Sequence, residues 1–336
     1  MQSKKRTQFL LLSFSIVFAA GLFLVLLFWQ HRERLAEKSR LEGQDDAVGQ
    51  VLINLNGKAY RLRDKLDTYL IIGVDKDSDR LEKLDPEAKL NNLQSDLLLL
   101  AVVNRAEETI SLVQINRDSM AWIPRIGKEG AKLSPAYEQL ALAHTYGSGG
   151  RDSCLNTAHA VSAFLYGIPI EHFFSLTMDA VPVLTDLAGG VPVLVEDDFS
   201  RVTDQLPIGQ TVTLRGDLAL TFVRGRMNVG DGSNLNRMNR QKVYLDALQL
   251  RLREMFDSSS GFAMKLASSL APYTVSDLLT TELAREAERV QDYRFDGVEA
   301  IPGVAKVGEF MEFYPDEEEL QQLLIRLLLE EVPESR

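Results

Sequence analysis

The sequence predicts an α/β fold in which a mixed central β-sheet is flanked by α-helices and preceded by one N-terminal transmembrane helix. Three observations predict this fold class. Residues 9–29 form a long apolar segment without charge. Several later apolar runs have the length and composition of strands that are buried on both faces. Segments with helix start and stop signals alternate with these runs, which is typical of a sheet covered by helices.

The N-terminal apolar segment has the length of a membrane span. Its 21 residues, at about 1.5 Å of rise per helical residue, cover a hydrocarbon core of roughly 30 Å. A cleaved signal peptide would have a shorter apolar region and a small-residue cleavage site, and no such site follows Trp29. The short tail before the span is expected to stay in the cytoplasm. The sequence thus predicts a single-pass protein of the cell membrane with a cytoplasmic tail at 1–8, a transmembrane helix at 9–29, a juxtamembrane linker at 30–67 and an extracellular domain at 68–332.

The extracellular domain is predicted to begin with a buried strand and a hairpin. The apolar run YLIIGV at 69–74 is the strand, and LLLLAVV at 97–103 and ISLVQI at 110–115 flank the polar turn NRAEET. If the strands pair symmetrically about this turn, the register places Asp96 opposite Arg117.

The rest of the domain alternates between predicted helices and strands, without an internal repeat or a composition break. Apolar runs predict strands, and helix caps, proline and glycine predict where helices begin and end. The predicted strands are 172–178, 191–196 and 218–223, and the predicted helices are 154–166, 179–188, 237–256 and 315–331. The segments 172–178, 179–188 and 191–196 are predicted to form a strand–helix–strand unit of the sheet.

Charge and motif content exclude several classes of function. The first 40 residues carry seven Lys/Arg and two Glu, a charge of +5, so the total of −11 leaves −16 on the rest of the chain. Such an acidic body disfavours binding to nucleic acid. A single cysteine, Cys154, excludes an intramolecular disulfide and Cys-rich metal sites. The four histidines lack ligand spacing, and nucleotide-binding, nucleophile-elbow and zinc-protease motifs are missing.

Two carboxylates are predicted to meet at one edge of the sheet. Asp75 directly follows the first strand, Asp96 precedes the second, and Arg117 follows the third. A hard divalent cation such as Mg²⁺ is bound by one or two carboxylates together with substrate phosphate oxygens. The alternative is that these residues form ordinary turn contacts and a plain ion pair.

A cluster of basic residues contradicts the acidic average of the domain. Arg224 and Arg226 follow the predicted strand 218–223, and four guanidinium groups fall within 17 residues of sequence. Arg237 and Gln241 are four residues apart and share a face of the next helix. Planar cations that converge in this way bind phosphate groups. The cluster therefore predicts an anion site, and a solvated basic face is the alternative.

Nine segments in order along the chain resemble the LytR-CpsA-Psr family of membrane-anchored phosphotransferases. They are IIGVDKD, QSDLLLLAVVN, ISLVQINRDSM, KLSPAY, HTYGSGG, LYGIPI, MDAVPVLTDLAGGVPV, LALTFVRGR and NRMNRQ. The resemblance implies transfer of a glycopolymer, such as teichoic acid or capsular polysaccharide, from an undecaprenyl-pyrophosphate carrier to a peptidoglycan hydroxyl. The implied partners are this lipid-linked polymer, peptidoglycan and the membrane, without nucleic acid.

The resemblance also implies roles for individual residues. Asp75 and Asp96 match the ligands of Mg²⁺, with Mn²⁺ as the alternative ion, and Asp96 and Arg117 match residues at the catalytic pyrophosphate. The pyrophosphate clamp is matched by Arg224, Arg226, Arg237, Arg240 and Gln241.

The chain departs from the family pattern at three places. Gln94 stands where the family usually has arginine, and Asn116 stands where it usually has proline. The segment 138–146 is longer than the corresponding family loop and is expected to alter the entrance to the site. Without the arginine at position 94, the site has one cation fewer.

Three other functions compete with the phosphotransferase. A polyprenyl-pyrophosphate hydrolase would use the same residues, and a non-catalytic protein could hold the lipid-linked polymer. A transcriptional regulator is disfavoured by the acidic body, the missing helix-turn-helix pattern and the predicted location.

Overall fold

A computed structural model describes most of the chain beyond the predicted membrane span. The described residues are 52–76, 87–225, 228–230, 234–259, 261–290, 293–308 and 310–332. The predicted tail, the predicted transmembrane helix and the first part of the predicted linker lie outside them. Within the described ranges, no helix is long and apolar enough to cross a membrane.

Strands and helices alternate along the described chain. The strands are β1 (Ile53–Leu55), β2 (Lys58–Leu62), β3 (Leu66–Lys76), β4 (Leu93–Asn104), β5 (Thr109–Ile115), β6 (Met120–Ile126), β7 (Lys132–Gln139), β8 (His172–Thr177), β9 (Val191–Leu194), β10 (Thr211–Leu214), β11 (Thr274–Ser276), β12 (Arg294–Ala300), β13 (Gly303–Val307), β14 (Met311–Pro315) and β15 (Leu329–Glu331). The α-helices are α1 (Arg151–Phe164), α2 (Ala180–Leu187), α3 (Gly216–Arg224), α4 (Asn234–Ser258), α5 (Phe262–Leu270), α6 (Thr280–Val290) and α7 (Glu317–Leu327). Short 3-10 helices occupy Leu140–Thr145 and Ala271–Tyr273.

The chain divides into two compact units. The helical unit comprises Met178–Tyr273 and Thr280–Asp292, with α2 to α6 and the β9–β10 pair. The sheet unit comprises the described parts of Arg32–Thr177, Thr274–Leu279 and Tyr293–Arg336. The sequence shows no composition break at these boundaries, and the chain leaves the sheet unit after β8 and returns to it at β11.

The sheet unit is built on a six-stranded mixed sheet with the order β11-β8-β3-β4-β5-β12. Strand β8 runs parallel to β3 and β12 runs parallel to β5, whereas β3, β4 and β5 are antiparallel neighbours. Val103 pairs with Ile110 and Leu98 pairs with Ile115, which confirms the predicted hairpin and its register. The predicted mixed central sheet with flanking helices is also confirmed.

One apolar cluster joins this sheet to helices α1 and α7. Each large aliphatic side chain that is fully buried contributes about 1.5–3 kcal/mol to folding. The cluster includes Leu70, Ile72, Leu98, Leu100 and Val113 from the sheet, Val161 from α1 and Leu324 from α7.

The folded part of the sheet unit begins earlier than the sequence predicts. Strands β1 and β2 lie within the predicted linker 30–67, and β2 pairs with β15 near the C-terminus. The linker prediction is therefore wrong from residue 53 onward. The two strands are short, and their few buried residues stand between polar ones. Their sequence therefore resembles that of a polar linker.

The predicted helix 315–331 is correct at its start and wrong at its end. Asp316 caps α7 by accepting hydrogen bonds from the backbone N–H groups of Glu318 and Glu319, at 3.1 Å each. The helix ends at Leu327, and Leu329–Glu331 form β15 instead.

Two predictions for the helical unit are wrong. The apolar run 218–223 belongs to helix α3, because Ala219, Phe222 and Val223 are buried with a helical rather than an alternating spacing. Strand β9 follows α2 as predicted, but it pairs with β10 and does not join the sheet that contains β8.

A buried histidine in the sheet unit makes stability depend on pH. His144 Nδ1 donates to the carbonyl of Leu93 at 3.2 Å, and Nε2 accepts from the thiol of Cys154 at 3.7 Å. Burial lowers the pKa of His144 from 6.5 to about 4. As the pH falls below 6.5, the unfolded chain binds a proton that the folded chain excludes, so the free energy of unfolding decreases by on the order of 3 kcal/mol at pH 4.

We expect His144→Gln to remove this contribution. Denaturant unfolding at pH 7 and pH 4.5 should show a larger loss of stability in the parent than in the variant. Both proteins contain the same carboxylates, so only His144 can make their losses differ. Equal losses would therefore contradict the contribution assigned to His144.

Candidate active site

A β-bulge sets the position of the predicted acidic residues in the sheet unit. Gly73 pairs with Leu97 and Val74 pairs with Ser95, so Asp96 has no partner on β3. A bulge of this kind changes the direction of a side chain at the end of a ladder. A Cβ on Gly73 would lie 2.8 Å from the Cβ of Leu97, so the close approach of the strands at the bulge requires glycine.

Arg117 connects the ends of two strands at this bulge. It forms an ion pair with Asp96, as the hairpin register predicts, and its Nη2 donates to Gln94 Oε1 at 2.7 Å. Its Nε lies 3.6 Å from Asp118 Oδ1. The Arg117 side chain is 22% exposed, so the guanidinium is held by neighbours and still reaches the surface. Asp75 belongs to the same edge, because it pairs with Gln94.

Gln94 supports Arg117 from within the sheet. The residue is 1% exposed, and its buried Nε2 has no hydrogen-bond partner among the described residues. Leaving a buried donor unsatisfied costs about 1–3 kcal/mol. The amide oxygen orients the guanidinium without adding charge. From the sequence, Gln94 was noted only as a departure from the family pattern, and this role was not predicted.

The segment 138–146 packs behind the site. Its 3-10 helix is buried throughout. The backbone N–H of Ala141 donates to the carbonyl of Arg117 at 2.8 Å, and Ser95 Oγ donates to the carbonyl of Ala141 at 3.3 Å. The insertion therefore connects the strand ends that carry Asp96 and Arg117, a contribution to the site that was not predicted from the sequence.

The donor chemistry at this edge fits a hard divalent cation. Asp75 and Asp96 supply carboxylate oxygens from neighbouring strands, as Mg²⁺ prefers. Among the described residues, no group of three or more His, Cys, Asp or Glu side chains is placed to hold a metal ion. One or two carboxylates are the protein ligands that Mg²⁺ usually takes when it keeps water and substrate phosphate oxygens.

The helical unit contains four of the five predicted clamp residues. Arg224 is exposed and is the last residue of α3, so the predicted placement on a strand end is wrong. Arg237 and Gln241 lie in the first two turns of α4, where the helix dipole favours an anion. Arg226 lies outside the described residues.

Arg240 belongs to the core of the helical unit rather than to the surface of a clamp. It is 4% exposed and forms an ion pair with Asp197. Its Nε donates to the carbonyl of Phe222 at 3.2 Å, Nη2 donates to the carbonyl of Gly225, and the guanidinium stacks over Phe199 at 5.4 Å. These contacts join the end of α3 to α4.

Comparisons with known proteins place this architecture in a family. The LytR_cpsA_psr family model matches residues 27–325. Two relatives carry the name polyisoprenyl-teichoic acid–peptidoglycan teichoic acid transferase TagU. The protein from Halalkalibacterium halodurans is 32% identical over 46% of this chain and 46% of its own length. The protein from Enterococcus faecalis is 26% identical over 69% of this chain and 64% of its own length. The chain thus spans about half to two thirds of these relatives.

Solved structures share the fold at low sequence identity. TagV of Bacillus subtilis is 22% identical with a TM-score of 0.53, over 79% of this chain and 96% of that one. A structure of TagT bound to LI-WTA is 20% identical with a TM-score of 0.55, over 79% of this chain and 90% of that one. Because the family model covers most of the sequence, this chain is a member of the LytR-CpsA-Psr family.

Proposed function

We propose that this protein transfers an anionic glycopolymer of the teichoic acid or capsular type from an undecaprenyl-pyrophosphate carrier to a hydroxyl of peptidoglycan. The observation that carries the proposal is the Arg117 guanidinium, which Gln94 and Asp96 hold at the edge of the sheet in a member of this family. The two TagU relatives are named for a reaction of this class.

The reaction class suits residues that position and neutralise rather than exchange protons. Phosphoryl transfer depends mainly on alignment and on stabilising the charge that spreads over the phosphate oxygens. Attack by the acceptor hydroxyl forms a phosphodiester bond to the polymer-bearing phosphorus and breaks the bond to the bridging oxygen. The lipid monophosphate leaves and takes up the proton of the hydroxyl. Arg117 would donate to the phosphate oxygens, while Gln94 and Asp118 keep its guanidinium in place.

A divalent cation would be held by Asp75 and Asp96. When bound, it would neutralise the charge of the pyrophosphate and make the lipid phosphate a better leaving group. Arg224, Arg226, Arg237 and Gln241 are the residues proposed to bind phosphate, and Arg240 is left out because its donors face the core of the helical unit.

The proposed location is the outer face of the cell membrane. The uncharged segment 9–29 supports a membrane anchor, and the proposed reaction needs the catalytic domain outside, where peptidoglycan is accessible. The acidic body of the chain supports a protein that does not act on nucleic acid.

The metal proposal predicts a loss of activity when either carboxylate is neutralised. Asp75→Asn and Asp96→Asn keep the side-chain shape and remove charge that a hard cation needs. Transfer by the full chain should fall about 100-fold or more, with a small change in melting temperature.

Chelation of divalent cations should abolish transfer by the parent, and added Mg²⁺ should restore it. Asp296→Asn is the matched control, because Asp296 pairs with Arg294 on the exposed surface of β12. Normal metal-dependent turnover by Asp96→Asn would show that the metal assignment is wrong.

A further inference from the structure

Two exposed aromatic side chains lie side by side on the β6–β7 hairpin. Trp122 is 64% exposed and Tyr137 is 47% exposed. They are directly opposite in the ladder, and their ring centroids are 5.5 Å apart with an interplanar angle of 56°. Large exposed aromatic groups that cluster in this way mark interaction sites more often than isolated surface residues do.

A third aromatic ring extends this surface onto the β13–β14 hairpin. Tyr314 donates a hydrogen bond to Glu312 Oε2 at 2.8 Å, and Lys306 Nζ lies 4.4 Å from the centre of its ring. The hydrogen bond to Glu312 raises the pKa of Tyr314, and nearby Tyr137 adds a smaller effect in the same direction. We call Trp122, Tyr137 and Tyr314 the aromatic platform.

The strands that carry the aromatic platform are joined to the chain segment that follows Arg117. The backbone N–H of Phe313 donates to the carbonyl of Asp118 at 2.8 Å, and Ser119 forms a parallel bridge with Phe313. Gln139 Nε2 donates to the carbonyl of Met311. Trp122 follows Arg117 by five residues, so their Cα atoms are at most about 17 Å apart. A linear ligand can therefore contact both.

The chemistry of the platform matches a glycan. One face of a pyranose ring is lined by C–H groups and packs on an aromatic ring, which removes apolar surface from water. Tyrosine hydroxyl, carboxylate and ammonium groups at the edge of the platform can bond to sugar hydroxyl and amide groups. The charged groups beside Tyr314, Glu312 and Lys306, have opposite signs. An anionic membrane surface or an anionic polymer would instead favour a basic patch.

We propose that the aromatic platform binds the uncharged sugar backbone of the acceptor, a glycan strand built from N-acetylated sugars. The identity of this ligand as the acceptor rests on the proposed function. The platform holds the strand against the β6–β7 hairpin, so that a hydroxyl farther along the strand reaches the phosphate at Arg117.

The tryptophan content of the chain gives a direct binding assay. Trp122 is one of two tryptophans, and Trp29→Phe leaves it as the single tryptophan of the full chain. In phosphatidylcholine nanodiscs, titration with a soluble N-acetylglucosamine hexamer should change Trp122 emission with saturation. Tyr137→Ala and Tyr314→Ala should weaken binding at least about tenfold, the effect of losing one aromatic anchor. Tyr273→Ala, in the helical unit, should bind as the parent does.

A second assay uses the parent chain with purified peptidoglycan. Less of the Trp122→Ala variant than of the parent should sediment with peptidoglycan. The variant should fold normally, because the Trp122 side chain is exposed. Equal sedimentation, or no emission change with the hexamer, would overturn the proposal. An emission change that needs phosphatidylglycerol in the nanodisc and no hexamer would assign the platform to the membrane surface instead.

The outcome is separable from that of the proposed function. Binding of the hexamer requires neither metal nor lipid-linked donor, so Asp96→Asn should retain it. Retained binding without any transfer by the parent would leave the platform as a glycan site and remove the phosphotransferase. Transfer without hexamer binding would support the phosphotransferase and overturn the glycan site.

Discussion

Arg117→Lys is expected to lower the rate of transfer about 100- to 1,000-fold with little change in stability, as for removal of one preorganised donor to a developing anion. Arginine donates in a planar fork, and the structure uses this fork to contact Asp96, Gln94 and Asp118 together. Lysine keeps the charge beside Asp96 but cannot reach several partners and a phosphate at once. Steady-state kinetics on the full chain would separate the effects on kcat and KM.

The matched control is Arg105→Lys. Arg105 forms an ion pair with Asp67 at 3.0 Å in the same unit, and its side chain is 24% exposed, close to the value for Arg117. This variant should keep parental kcat. Gln94→Leu should show a smaller loss than Arg117→Lys, mainly in kcat, because it removes the orienting bond and leaves the guanidinium in place. Parental turnover by Arg117→Lys would contradict the proposed role.

Arg226→Lys and Arg237→Lys are expected to weaken binding of a polyprenyl-pyrophosphate analogue about 10- to 100-fold, the result of losing one charge-assisted contact worth about 1.5–3 kcal/mol. Four guanidinium groups in a short stretch of an acidic protein are the sequence evidence for an anion site. Arg237 lies in the first turn of α4, where the orientation of the backbone adds to the attraction for phosphate.

Calorimetric Kd values would measure this effect in the full chain. Arg326→Lys is the control, because Arg326 pairs with Glu299 on the exposed surface, and exposed pairs contribute little. If both clamp variants bind the analogue as tightly as the parent does, the arginine cluster does not bind the pyrophosphate. A parent that prefers duplex DNA to the lipid analogue would remove the phosphotransferase itself.

The register of the β4–β5 hairpin follows from sequence because the polar turn fixes the pairing. In an antiparallel hairpin, each further pair lies one residue farther from the turn on both strands. The contact between Asp96 and Arg117 was therefore predictable. The bulge at Asp96 was not, since it depends on how closely Gly73 lets β3 approach Leu97.

Helix α3 shows where apolar content misleads. The run LALTFV suits a buried strand as well as a helix by composition, and only the burial of Ala219, Phe222 and Val223 on one face decides between them. Because of this error, Arg224 was predicted at a strand end, whereas it lies at the end of a helix. Arg240 was misplaced for a related reason, since sequence does not reveal that Asp197 and Phe199 lie beside it.

The supporting residues of the site were the least predictable part. Gln94 and Ala141 act through contacts that join residues distant in sequence, and neither belongs to a residue type that marks a site by itself. The strands β1 and β2 were missed because both are short and because β15, which pairs with β2, is distant in sequence.

The most direct test of the proposed transfer follows the polymer after the reaction. The full chain in nanodiscs would receive Mg²⁺, purified peptidoglycan and a polyprenyl-pyrophosphate-linked teichoic-type oligomer with a label in its sugar. Transfer predicts that the label becomes covalently attached to peptidoglycan, while polyprenyl monophosphate is released in an equal amount. Release of the monophosphate with all of the label in solution would identify a hydrolase, and bound but unchanged donor would identify a binding protein. Either result would contradict the account.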